Sequence, residues 1–157
     1  MKIQLIQIDK TQESYLQSGI ELYEQRLKNY AAFDMITIHV PKNVRQKSIG
    51  EQKAEEAKLL LSMLTPGDMV VVLDEQGKEY SSVNFSKFIR EKQNASVKRM
   101  VFIIGGPFGF DESVYARAQA KISLSQMTFS HQMIRLFFVE QLYRAYTILK
   151  GEKYHHV

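Results

Sequence analysis

VFIIGGPFGF, residues 101–110, runs from four apolar residues straight into Gly105, Gly106, Pro107, Phe108 and Gly109. Val101 to Ile104 read as a short buried strand. Two adjacent glycines at its carboxyl end let the backbone turn sharply and let a ligand approach closely. In open α/β sheets that end of the strands is where ligands bind. A plain strand–loop junction, with the glycines serving the turn alone, is the competing reading.

The flanking sequence supplies the rest of such a sheet. Lys2–Ile8 alternates apolar residues as a first strand. Leu16, Ile20, Tyr23, Leu27 and Tyr30 recur at the spacing of an amphipathic helix. Phe33–Val40 (FDMITIHV) predicts a second strand, ended by Pro41. Pro41–Gly50 (PKNVRQKSIG) reads as a basic loop, either solvated or in contact with phosphate. From Ser48 a helix turns Ala54, Ala57, Leu60, Leu61 and Leu64 inward and Glu51, Glu55 and Glu56 outward, and Thr65–Gly67 stops it. Met69–Leu73 is a continuous apolar strand of the kind covered on both faces, followed by Asp74–Lys78 (DEQGK) as a polar turn. Ser81 caps a helix carrying Val83, Phe85, Phe88 and Ile89. Lys98–Ile104 leads into the glycine-rich loop, Asp111–Ala120 is a short helix capped by Asp111, and Lys121–Leu124 is a last strand. Strands alternating with helices predict a mostly parallel sheet flanked by helices, an α/β fold.

Composition narrows the function classes. The 157 residues fit one domain, 1–157, with a sizeable core. The sequence holds no cysteine, which excludes disulfides and thiolate metal sites, and four histidines do not suggest a dedicated metal centre. No run approaches the roughly 18 apolar residues of a membrane span, and MKIQLIQIDK looks like a strand rather than an export signal. A cytoplasmic protein is therefore expected. A formal net charge of +4 is compatible with a polyanionic partner without demanding one.

The segment His131–Lys150 predicts a helix with two apolar stripes. Ile134, Phe138, Leu142, Ala145 and Leu149 form one; Leu136, Val139, Tyr143 and Tyr146 form the other. Glu140, Arg144 and Thr147 remain for the third face. Together the stripes cover roughly 200°, about twice the arc a single core contact needs. A last helix of a small chain is not expected to be enclosed by its own fold, so a homodimer built on it is predicted.

Two motifs bear on chemistry. GGPFG matches neither the dinucleotide fingerprint nor a phosphate P-loop. Leu124–His131 (LSQMTFSH) sets small polar residues among apolar ones, the combination an adenine ring needs for its faces and edge. It also reads as a helix-capping loop with Ser130 as cap, and the two readings are compatible. His131 is either a capping histidine or a contact to a polar substrate. His155 and His156 are either a loose terminus or a tail folded over a site.

At IGGPFG, LSQMTFSHQ, EQLYRA and the YHH tail, the chain resembles the bacterial large-subunit ribosomal RNA methyltransferases of the SPOUT class. The likeness covers nearly the whole length, including KIQLIQI and LDEQGK. It implies an α/β fold whose carboxyl-terminal part forms a deep trefoil knot, an exception to the rule against knots. It further implies a homodimer that binds S-adenosylmethionine at the knot and methylates N3 of a pseudouridine in 23S ribosomal RNA. The family's cofactor positions fall on Leu73, Gly105, Leu124, Ser125, Gln126, Met127, Thr128 and Phe129. His131, Glu140, Arg144, Tyr154 and His155 are the candidates for binding and activating the target, with the general base unassigned among them. Arg45, Lys47, Arg135 or Arg144 would contact phosphate. Ser130 stands where the family often has proline. A non-catalytic RNA- or ribosome-binding module and a nucleotide-binding regulatory protein are the alternative readings.

Overall fold

In the computed structural model, which describes residues 1–156, the sheet is built from five strands in the order β2-β1-β4-β3-β5, every pair parallel. These are β1 (Lys2–Ile8), β2 (Ala32–Ile38), β3 (Met69–Glu79), β4 (Arg99–Ile104) and β5 (Ala120–Ser123). VFII lies in β4 at the centre of the sheet, and every residue from Met100 to Gly105 is buried. A strand covered on both faces reads as an unbroken apolar run for that reason.

The helices are α1 (Ser14–Leu27), α2 (Lys42–Arg45), α3 (Ile49–Ser62), α4 (Ser82–Asn94), α5 (Glu112–Arg117) and α6 (Met133–Leu149). One core holds Ile3, Leu5, Phe85, Phe102, Phe138 and Leu142 beneath α1, α4 and α6. The other holds Ile6, Val70, Val101, Ile103, Leu60 and Val114 beneath α3 and α5. The caps follow the sequence: Ser48, Ser81 and Asp111 accept from the backbone N–H of Glu51, Asn84 and Ser113.

Four expectations are corrected. β2 stops at Ile38, and the segment read as a loop contains the single turn α2. DEQGK is not a free turn, because β3 continues through it. Leu73 and Lys78 both align with Ile122 of β5, so residues 74–77 bulge out before the pairing resumes. Gly77 makes that possible: a Cβ there would stand 2.6 Å from the Ile122 carbonyl carbon. Thr147 is fully buried rather than on a polar face, and its hydroxyl donates to the Arg144 carbonyl at 2.7 Å. Finally, α6 is enclosed by its own fold more than expected. It packs between α1 and α4 and buries Phe138, Val139, Leu142, Ala145 and Tyr146. Its two apolar stripes therefore have partners within the chain. Phe137 at the open edge is 37% exposed.

Candidate active site

The bulge within β3 and the loops that follow β4 and β5 meet at one edge of the sheet, where they border a cleft of about 440 Å³. That volume lies within the roughly 300–1,000 Å³ of small-molecule sites. Leu73, Ile104, Leu124, Phe129 and Ile134 make apolar walls, and Asp74, Glu75 and Ser125 add polar ones. Thr128 Oγ1 donates to Glu75 Oε2 at 2.6 Å, and Gln126 Nε2 to Glu79 Oε2 at 3.2 Å, so the second loop is fastened to the β3 bulge. Tyr115 donates to Asp74 Oδ2 at 2.5 Å, and burial together with that carboxylate pushes its phenol up to about 12.

Of the expected cofactor positions, Leu73, Gly105, Leu124, Ser125, Met127, Thr128 and Phe129 line this cleft. Gln126 does not; its side chain is held by Glu79. The donor set fits an adenosyl sulfonium: apolar walls for the ring faces, and carboxylates for hydroxyls and cationic groups. Gly105 has a second reason to be glycine, since a Cβ there would meet the buried Phe110 ring at 3.0 Å. Gly109 has φ +79° and needs glycine for the turn itself.

Among the catalytic candidates, His131 lines the cleft while the other four gather elsewhere. Arg144 Nε donates to Glu140 Oε1 at 3.1 Å, and Tyr154 donates to the same oxygen at 3.0 Å. Arg144 Nη1 meets His155 Nδ1 at 3.2 Å, and its guanidinium carbon lies 4.6 Å from the Tyr154 ring centroid. The Tyr23 hydroxyl of α1 is 3.3 Å from that of Tyr154. The tail therefore folds back on α6 rather than hanging free. Burial, then Tyr23 and Glu140, raise the Tyr154 phenol, and Glu140 raises the Arg144 guanidinium. Glu140 and Arg144 line a wider cavity of about 810 Å³, which shares Ser123, Leu124, Ser125, Phe129 and Ile134 with the first.

Arg135 is misassigned as a phosphate contact. It is fully buried and donates to the carbonyls of Ile8 (2.7 Å), Asp9 (2.9 Å) and His131 (3.0 Å) and to Thr11 Oγ1 (3.1 Å). Arg45 is paired with Asp9, and Arg144 with Glu140, while Lys47 stays exposed. Sequence reasoning also missed Glu56, read as an outward residue; it is half-buried, against the glycine loop. The loop that covers it is distant in sequence, so no local pattern marks it. Ser130 does assist the start of α6: its hydroxyl accepts from the Met133 N–H at 3.0 Å, a bond that proline could not supply.

His131 is held below its ordinary value near 6.5 by burial and then by Arg135, with Asp9 opposing. The unfolded chain binds this proton more readily, so His131 makes stability fall as pH drops below about 6.5 toward the lowered folded value. His131→Gln is expected to flatten that decline. Thermal unfolding from about pH 7.5 to about 5 checks it, and parallel curves for the two proteins would refute it.

A parallel α/β sheet with a cleft at the carboxyl ends of its strands has the arrangement in which open α/β proteins bind ligands. A family model described as "Predicted SPOUT methyltransferase" matches residues 1–155. The chain is also 53% identical over 156 residues to a protein of Flavobacterium johnsoniae named ribosomal RNA large subunit methyltransferase H, covering 99% of each. It is similar to proteins of the same name from Parabacteroides distasonis (53%) and Bacteroides thetaiotaomicron (51%), again over 99% of each chain. The chain belongs to the SPOUT methyltransferase family.

Proposed function

We propose that this chain transfers the methyl group of S-adenosylmethionine to N3 of a pseudouridine in large-subunit ribosomal RNA, acting on the assembled subunit or ribosome. The observation that carries the reading is the cleft between the β3 bulge and the loops after β4 and β5, which seven of the eight expected cofactor positions line. When bound, S-adenosylmethionine supplies an electrophilic methyl group. The chain's own part is to position the acceptor and take its proton. A ring N–H must be deprotonated at or before attack, and a neutral histidine on the cleft wall suits that task. His131 is accordingly the residue we assign to the proton, with Glu140, Arg144, Tyr154 and His155 binding RNA.

The same reading makes 1–157 one domain, threads its carboxyl-terminal part into a trefoil knot and places the protein in the cytoplasm as a homodimer. No helix among the described residues is long and apolar enough to cross a membrane. The open side of the wide cavity beside α6, edged by Phe137, is the surface a second copy would cover. Sedimentation at micromolar concentration is expected to give a dimer, and a monomer would remove that part.

The deciding experiment uses labelled S-adenosylmethionine and large subunits lacking the modification. Label is expected at N3 of one pseudouridine. Ribosome binding without transfer would instead establish a non-catalytic module.

A further inference from the structure

On the far side of the GGPFG loop lies a smaller cleft of about 320 Å³, between the end of β1, α3 and the loop itself. It shares Gly106, Pro107, Phe108 and His131 with the first cleft, so the two adjoin through one loop and one histidine. Its walls are polar: Asp9, Arg45, Gln52 and Glu56. At its lip Phe108 is 47% exposed, an aromatic face with no core to fill.

Glu56 is the informative residue. Its carboxylate oxygens lie 3.3 and 3.4 Å from where a Cβ on Gly106 would stand, so a bare glycine leaves room for it. Burial, then Asp9, raise its carboxyl while Arg45 opposes, and no hydrogen bond among the described residues contributes. The carboxylate borders the open cleft, so it is available to accept from a donor that enters. An unstacked base brings what the cleft lacks, a flat face for an aromatic ring and N–H groups at its edge.

We propose that this cleft receives the target pyrimidine, with Phe108 against its face and Glu56 accepting from a ring N–H. The inference rests on the methyltransferase reading above. Pseudouridine carries ring N–H groups at both N1 and N3, whereas uridine has one, at N3. With N3 turned toward the methyl donor, N1–H is left for Glu56. Glu56 is thus a specificity-determining residue that separates pseudouridine from uridine, because a site built to accept a hydrogen bond rejects the analogue that cannot give it.

The test compares large subunits carrying pseudouridine or uridine at the target position. Phe108→Ala is expected to raise KM for subunits about tenfold, as loss of a stacking aromatic does, and far more than it changes the dissociation constant for S-adenosylmethionine measured by calorimetry. Phe108→Tyr restores KM. Glu56→Ala is expected to lose most of the preference for pseudouridine, and Glu56→Gln, which keeps an acceptor oxygen, to retain part of it. Thermal unfolding and cofactor binding verify that each variant is folded. A preference unchanged in Glu56→Ala, or a Phe108→Ala defect that tracks cofactor affinity, would overturn the proposal. No transfer by the wild-type chain would overturn the methyltransferase reading, and this inference with it.

Discussion

Gly77→Ala is expected to cost about 1–3 kcal/mol of stability, the usual penalty of forcing atoms into filled space, and to weaken S-adenosylmethionine binding at least tenfold. The new methyl would lie 2.6 Å from the Ile122 carbonyl carbon and 2.7 Å from the Ile122 nitrogen and the Lys121 carbonyl carbon. These are backbone atoms, so no rotamer relieves the clash and β5 must move. β5 pairs with β3 and with no other strand of the sheet among the described residues. It also leads directly into Leu124–Phe129, one wall of the cleft, so a displaced strand carries the wall with it. Calorimetric titration and thermal unfolding check both effects. Gly67→Ala is the control, since nothing lies within 4 Å of a Cβ there. Equal cofactor affinity in the Gly77 and Gly67 variants would refute the argument.

Arg135→Met is expected to destabilise by about 3 kcal/mol or more, a fall in Tm of roughly 6–12 °C for a chain of this size. Methionine nearly fills the volume and removes the cost of a buried cation. That cost is real: burial pulls the guanidinium down to about 10, with Asp9 alone opposing. Removal of the guanidinium nevertheless strands the Ile8, Asp9 and His131 carbonyls and the Thr11 hydroxyl, all of which it serves at 2.7–3.1 Å. Each buried acceptor without a donor costs about 1–3 kcal/mol, and together these outweigh the relief. Arg135→Lys is expected to recover less than half, because an ammonium has three donors on one atom and cannot span a fork of acceptors. Methyl transfer should fall further than stability alone dictates, since His131 loses its anchor. A melting temperature within 2 °C or so of wild type would sink this account.

The elements and their caps were largely legible in the sequence because their causes are local. Period-two and period-3.6 patterning, Ser48, Ser81 and Asp111 each act within a few residues. The loops around the cleft were legible for the same reason: glycines after an apolar strand, and a small-polar loop before a helix. What escaped depends on contacts between distant segments. DEQGK has the composition of a turn, and only β5 holds it extended. Arg135 sits between two apolar stripes where arginine is usually solvated; its burial comes from carbonyls at the end of β1, more than 120 residues earlier. Glu56 follows a helical pattern that points it outward, until the glycine loop closes over it. The relation of His131 to Glu140 and Arg144 was equally hidden, since closeness in sequence does not reveal that they line two different, adjoining cavities.

The cleft draws its walls from residues 73–76, 104–110 and 123–134, with Tyr115 between them, so they lie on both sides of the midpoint of the chain. A polypeptide still being synthesised therefore lacks a finished cleft until its last wall residue, Ile134, has been made. Ligand capture is in this sense a late reporter of complete assembly, and neither half of the molecule, expressed alone, can inherit it.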